Sequence, residues 1–128
     1  SSHPVGCATA LAMLDIIENE DFPQQATEKG EYLGKKLNEA LGDHPNVGDI
    51  RGKGLMWGVE YVKDKATKEE FPVGDAIGGK IHSAGMERGL FSRVRTDVYC
   101  IAPPIVTDYE TLDNIVDILA ESTKAVLG

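Results

Sequence analysis

With 128 residues, the chain is sized for one domain or part of one, and its 41% hydrophobic content suits a soluble globular fold with a core of its own. Its formal charge of −8, from 21 acidic against 13 basic residues, includes no basic run, which disfavours nucleic acid or an anionic membrane as a partner. Cys7 and Cys100 both lie in apolar stretches and read as buried thiols of a reducing, cytoplasmic compartment, with a disulfide between them as the alternative. With no C-x-x-C or H-E-x-x-H spacing, a metal site has little support.

The chain opens on "SSHPVGCATALAMLDII". Pro4 suits a first helical turn, where its missing N–H costs nothing. Ala8, Leu11, Ala12, Leu14, Ile16 and Ile17 then form an apolar surface wider than one stripe, so the helix they predict needs cover on most sides. The stretch is too short to span a bilayer, and no basic segment precedes it as in a signal peptide. Without an initiator methionine, it reads as part of a larger protein. Asp21 and Pro23 break it.

A second helix is predicted from about Gln24 to Leu41, with Ala26, Leu33, Leu37 and Leu41 at helical spacing and Gly42 at the expected left-handed cap. Strands follow at Val47 to Arg51 and Leu55 to Val62, joined by "GKG". Gly52, Gly54 and Gly58 resemble a phosphate loop superficially. A strand rather than a helix follows them, so a hairpin turn is the better reading. Lys63 to Glu70 is a charged, solvent-facing loop. A third helix, about Val73 to Arg88, presents Ile77, Ile81 and Ala84 and stops at Gly89. Short strands at Leu90 to Ser92 and Val98 to Ala102 flank a predicted turn over Arg93 to Asp97. "TDYE" has the form of a capping box, Thr107 with Glu110, before a last helix showing Leu112, Ile115, Val116 and Leu119. The order predicts an α+β fold: a small, mostly antiparallel sheet with helices packed on one face.

No catalytic apparatus emerges from residue types and spacing. His3, His44 and His82 lack evident catalytic partners and read as structural polar groups. Glu18 with Glu20, and Glu69 with Glu70, fall in charged, solvent-like stretches where nothing shifts a carboxylate pKa. Arg93 stands out, with the apolar "VYCIAPP" to shelter it; a planar guanidinium makes two parallel hydrogen bonds to a carboxylate, which a lysine cannot. A surface ion pair is the alternative for Arg93, and more so for Arg95.

Four collinear motifs, "SSHPVGCATALAMLDIIE", "DIRGKGLMWGVEYV", "MERGLFSRV" and "APPIVTDYETLDNIVDIL", resemble the C-terminal part of class III aminotransferases, the fold-type-I enzymes that include ω-amino acid, β-alanine and GABA transaminases. The resemblance covers essentially the whole chain. It implies a homodimeric, pyridoxal 5'-phosphate-dependent enzyme moving an amino group between an amine or amino acid and a keto acid. It also implies that residues 1–21 are a connecting helix packed on a large cofactor domain, and 22–128 the small C-terminal domain. The Schiff-base lysine and the aspartate holding the pyridinium would lie upstream, and the phosphate-contacting threonine two residues before the Ser-Ser-His-Pro motif. No catalytic or cofactor-binding residue is thus expected in this chain, which by itself would be inactive. His3 and Pro4 match a motif that shapes the turn into the helix. Arg93 aligns with the arginine that, in the ω-transaminase branch, binds the substrate carboxylate and swings away for uncharged substrates. Relatives often follow that arginine with a small residue and a glycine, whereas Val94, Arg95, Thr96 and Asp97 follow it here. Arg95 is therefore a second candidate, and Asp97 a candidate partner for either. An aminomutase or decarboxylase of the same class, differing mainly in the large domain, fits these motifs as well. The rival from another class is a stand-alone α+β module that binds a ligand or partner without catalysis.

Overall fold

The computed structural model of the chain describes residues 22–128. The expectations for His3, Pro4, Cys7 and the helix within 1–21 lie outside the described residues. The elements are α1 (Phe22–Leu41), β1 (Val47–Lys53), β2 (Met56–Tyr61), a 3-10 turn (Val73–Asp75), α2 (Ile77–Glu87), β3 (Arg93–Arg95), β4 (Val98–Ile101) and α3 (Tyr109–Leu127). The four strands form one antiparallel sheet in the order β1-β2-β4-β3.

One face of this sheet is sealed. Trp57, Val59 and Tyr61 of β2 alternate inward, as do Tyr99 and Ile101 of β4 and Val94 of β3. They meet Leu33, Leu37 and Leu41 of α1, Ile77 and Ile81 of α2, and Leu112, Val116 and Leu119 of α3 in a single core. Each helix thus spends its i, i+4 row on the sheet, the arrangement the apolar periodicity predicts. A bulge between Val47 and Asp49 resets the alternation of β1. Val47 is buried and Ile50 packs on the core, while Asp49 and Arg51 go to the other face.

Several boundaries differ from the sequence expectation. The β1–β2 turn is Gly54–Leu55, with Gly52 and Lys53 still in the strand. Gly54 takes φ +56°, the positive value a two-residue hairpin loop reserves for glycine. Gly42 is not left-handed; its N–H extends the α1 ladder to the Asn38 carbonyl at 2.8 Å. The third helix is interrupted at Ala76, which is left-handed at φ 46°. It does end at Gly89, where the N–H groups of Gly89 and Leu90 reach back to the carbonyls of Met86 and Gly85 in a Schellman pattern. The cap of α3 is Asp108 rather than Thr107, its carboxylate accepting the Thr111 N–H at 2.8 Å. Residues Leu90 to Ser92 form no strand. Arg93 and Arg95 belong to β3 itself, and the turn shrinks to Thr96–Asp97.

Candidate functional site

The second sheet face has no helix on it among the described residues. The strand register arranges it in two rows of side chains. One row runs Arg51, Gly58, Cys100, Arg93; the next runs Asp49, Glu60, Val98, Arg95. Arg93 and Arg95, two residues apart in an extended strand, point the same way. Between Arg51 and Arg93 the floor is low, because Gly58 contributes no side chain and Cys100 a small one. An open groove of about 530 Å³ lies on this side, lined by Arg51, Glu60, Glu70, Phe71, Arg95 and Cys100 among others. Arg93 stands outside that lining, one strand position pair further along the same face.

The four arginines divide into two kinds. Arg51 binds Glu60 at 2.9 Å and Asp49 at 3.0 Å, and these bonds, Glu60's first, hold its guanidinium more firmly protonated than usual. Arg88 lies 3.9 Å from Glu121. Arg93 and Arg95 are exposed and have no carboxylate within 4 Å among the described residues. Asp97 does not engage either one. Its carboxylate instead accepts the Gly78 N–H at 2.9 Å and so caps α2, whose own Ala76 offers no capping side chain. A carboxylate at a helix N-terminus answers both its unpaired N–H groups and its dipole.

The apolar shelter expected around Arg93 is absent within the described residues. The "VYCI" strand turns Tyr99 and Ile101 toward the helices, leaving only Val98 and Cys100 beside the arginines. His44 and His82 both hydrogen-bond to backbone groups. His44 Nδ1 accepts the Asn46 N–H at 3.0 Å and its Nε2 donates to the Gly128 carbonyl at 3.0 Å. His82 Nε2 donates to the Ser92 carbonyl at 2.9 Å. Alternation within β1 and β2 hints that Arg51, Gly58 and Glu60 share a face. The lateral pairing that brings Cys100 and Arg93 beside them carries no sequence signal.

Each lysine among the described residues is exposed or bonded to another group. Among the nine lysines, Lys29, Lys65 and Lys68 donate to the backbone carbonyls of Ile105, Gly42 and Gly48. Lys35 pairs with Glu39, and Lys36 lies over the Tyr32 ring; Lys53, Lys63, Lys80 and Lys124 are exposed. None is sequestered with partners for a pyridine ring. The described residues also contain no cluster of His, Cys, Asp or Glu suited to a metal, and no helix long and apolar enough to cross a membrane.

Fold and face define an α+β class, a helix-backed antiparallel sheet whose other face is polar and bears two arginines without carboxylate partners among the described residues. The model of the family "Aminotransferase class-III" matches residues 1–122, and the chain belongs to that family. It is 40% identical to an aminotransferase of Schizosaccharomyces pombe over 99% of this chain and 29% of the relative. A diaminobutyrate–2-oxoglutarate transaminase of Halomonas elongata is 38% identical over 98% of this chain and 27% of its own length. A solved structure, a thermostable (S)-enantioselective omega-transaminase from Thermomicrobium roseum, superposes with a TM-score of 0.88 at 40% identity, covering 98% of this chain and 28% of that one. The chain therefore spans less than a third of the relatives it matches.

Proposed function

We infer that the chain is the C-terminal small domain of a pyridoxal phosphate-dependent transaminase that moves an amino group between an amine or amino acid and a keto acid. In this reading the whole protein is a cytoplasmic homodimer. A large domain holds the cofactor, its lysine and its aspartate, and residues 1–21 connect the two domains. The cofactor, when bound there, supplies the electron sink for the transfer. The role of this chain is recognition: Arg93 binds the substrate carboxylate, with Arg95 as the second candidate.

The observation that supports this assignment is the division of the arginines. In a chain of net charge −8, the two without a carboxylate within 4 Å among the described residues are neighbours on one strand and face one way. An unpaired guanidinium is free to take a bidentate carboxylate. The test is substitution in the whole enzyme. Arg93→Ala is expected to raise KM for a keto acid about tenfold or more while leaving an uncharged aldehyde acceptor within about twofold. If Arg95→Ala alone does this, the role passes to Arg95; if neither does, the arginine assignment fails. The chain alone is expected to be inactive, and a saturable, lysine-dependent visible absorbance on adding pyridoxal phosphate would contradict that.

A further inference from the structure

β3 is three residues long, lies at the sheet edge and pairs with β4 alone among the described residues. So short an edge segment has little of its own to fix it, yet it carries two of the three arginines of the open face. α2 and its neighbours supply the missing constraint. At the start of β3, the Nε2–H of His82 donates to the Ser92 carbonyl at 2.9 Å. That carbonyl belongs to the peptide unit whose nitrogen is Arg93's. The Ser92 hydroxyl donates to the Cys100 carbonyl, and Cys100 is the cross-strand partner of Arg93. At the far end, Asp97 is held by the Gly78 N–H at 2.9 Å. Between these ties, Val94 packs on the core. The His82 ring is half-buried, with its centroid 6.2 Å from that of Tyr99, and Tyr99 is the register partner of Val94.

We propose that His82 and Ser92 are positioning residues for Arg93, fixing the peptide unit from which its guanidinium is aimed. This rests on the reading of Arg93 as the carboxylate contact. A two-bond contact to a planar anion tolerates little drift at the Cα that carries the guanidinium. The two ties on the Ser92–Arg93 unit act on that Cα before any other.

The test uses the whole enzyme and an unreactive ligand pair: butyrate, a saturated carboxylate, and its uncharged counterpart butyramide, both titrated by calorimetry. Arg93→Ala is expected to weaken butyrate about tenfold and to leave butyramide unchanged. His82→Ala and Ser92→Ala are each expected to weaken butyrate alone by roughly three- to tenfold. His82→Gln, whose amide nitrogen reaches where Nε2 stands, restores most of that loss. Wild-type butyrate affinity in both the His82 and Ser92 variants, with the Arg93 loss intact, overturns this inference alone. An equal loss for butyrate and butyramide does the same, since it marks general loosening. If Arg93→Ala leaves butyrate affinity intact, the carboxylate reading falls and this inference falls with it. Should His82→Ala fail to fold, Ser92→Ala, which removes one hydroxyl, carries the test.

Discussion

The Tyr61 hydroxyl lies 2.6 Å from Oγ1 of Thr123, across the core between β2 and α3. Thr123 spends its own proton on the Leu119 carbonyl at 2.8 Å, so Tyr61 is the donor in the pair. Both residues are fully buried, and burial pushes the Tyr61 phenol pKa well up. Tyr99 makes the contrast. Its hydroxyl is buried and makes no hydrogen bond of good geometry among the described residues, and burial, only partly offset by the nearby Ser92 hydroxyl, pushes its pKa up to about 12.

These partnerships predict three different outcomes. Tyr61→Phe loses a met hydrogen bond and is expected to cost about 0.5–1.5 kcal/mol. Thr123→Val strands the Tyr61 hydroxyl in the core and is expected to cost about 1–3 kcal/mol. Tyr99→Phe removes a buried hydroxyl that has no well-formed hydrogen bond and is expected to be neutral or stabilising by up to about 1 kcal/mol. Urea denaturation of the three variants gives the order directly, and a Tyr99→Phe protein less stable than Tyr61→Phe would contradict it.

Gly78 sits where α2 begins beneath the Thr96–Asp97 turn. A Cβ there would stand 2.2 Å from the Thr96 carbonyl oxygen, a backbone atom that cannot rotate aside. Gly78→Ala is therefore expected to destabilise by about 1–3 kcal/mol, as overpacking does. Gly79→Ala, with nothing within 4 Å of its added Cβ, is expected to stabilise slightly by helix propensity. Thermal melts of the pair separate local crowding from any general intolerance of the helix start.

Thr96 occupies the left-handed region at φ 55°, where a β-branched side chain is strained. Thr96→Gly relieves that strain and is expected to be neutral or to raise stability by about 1 kcal/mol despite glycine's greater unfolded entropy. Thr96→Val keeps the strain and should show no such gain. Equilibrium unfolding distinguishes the two.

Asp108 gives a pH signature. The Thr111 hydroxyl, then the Thr111 N–H, hold its pKa below the usual carboxylate value. Because the folded-state value is lowered, its stabilising effect is complete above the ordinary carboxylate range and is lost as pH falls through the lowered value. The side-chain amide introduced by Asp108→Asn still caps the helix but does not titrate. The stability difference between wild type and Asp108→Asn is thus expected to change across acidic pH and to stay flat near neutrality, by denaturation at a series of pH values.

Much of the fold was legible because periodicity and punctuation agreed. Leu33, Leu37 and Leu41 announced a buried helix row, and the alternation through Trp57, Val59 and Tyr61 announced a strand; all are in the core or packed on it. Gly89 marked the end of α2 correctly. What stayed hidden depended on tertiary partners. Thr107 and Asp108 are both capping residue types, and only the position of the Thr111 N–H decides between them. The β3–β4 turn lacks the glycine that signals a two-residue loop, since Thr96 takes the positive φ itself, so the arginines read as turn residues. Asp97, the carboxylate nearest them in sequence, is bonded instead to the Gly78 N–H, a contact between segments that the sequence does not connect.

The strand order also dictates a schedule for assembly. β1 with β2, and β3 with β4, each close over a two-residue turn, a local event on the scale of microseconds. β2 meets β4 only once the whole intervening chain, α2 included, has folded back, and such non-local closure is the slow part of folding. The β2–β4 pairing is therefore expected to be the late step, and the groove does not exist until it is made.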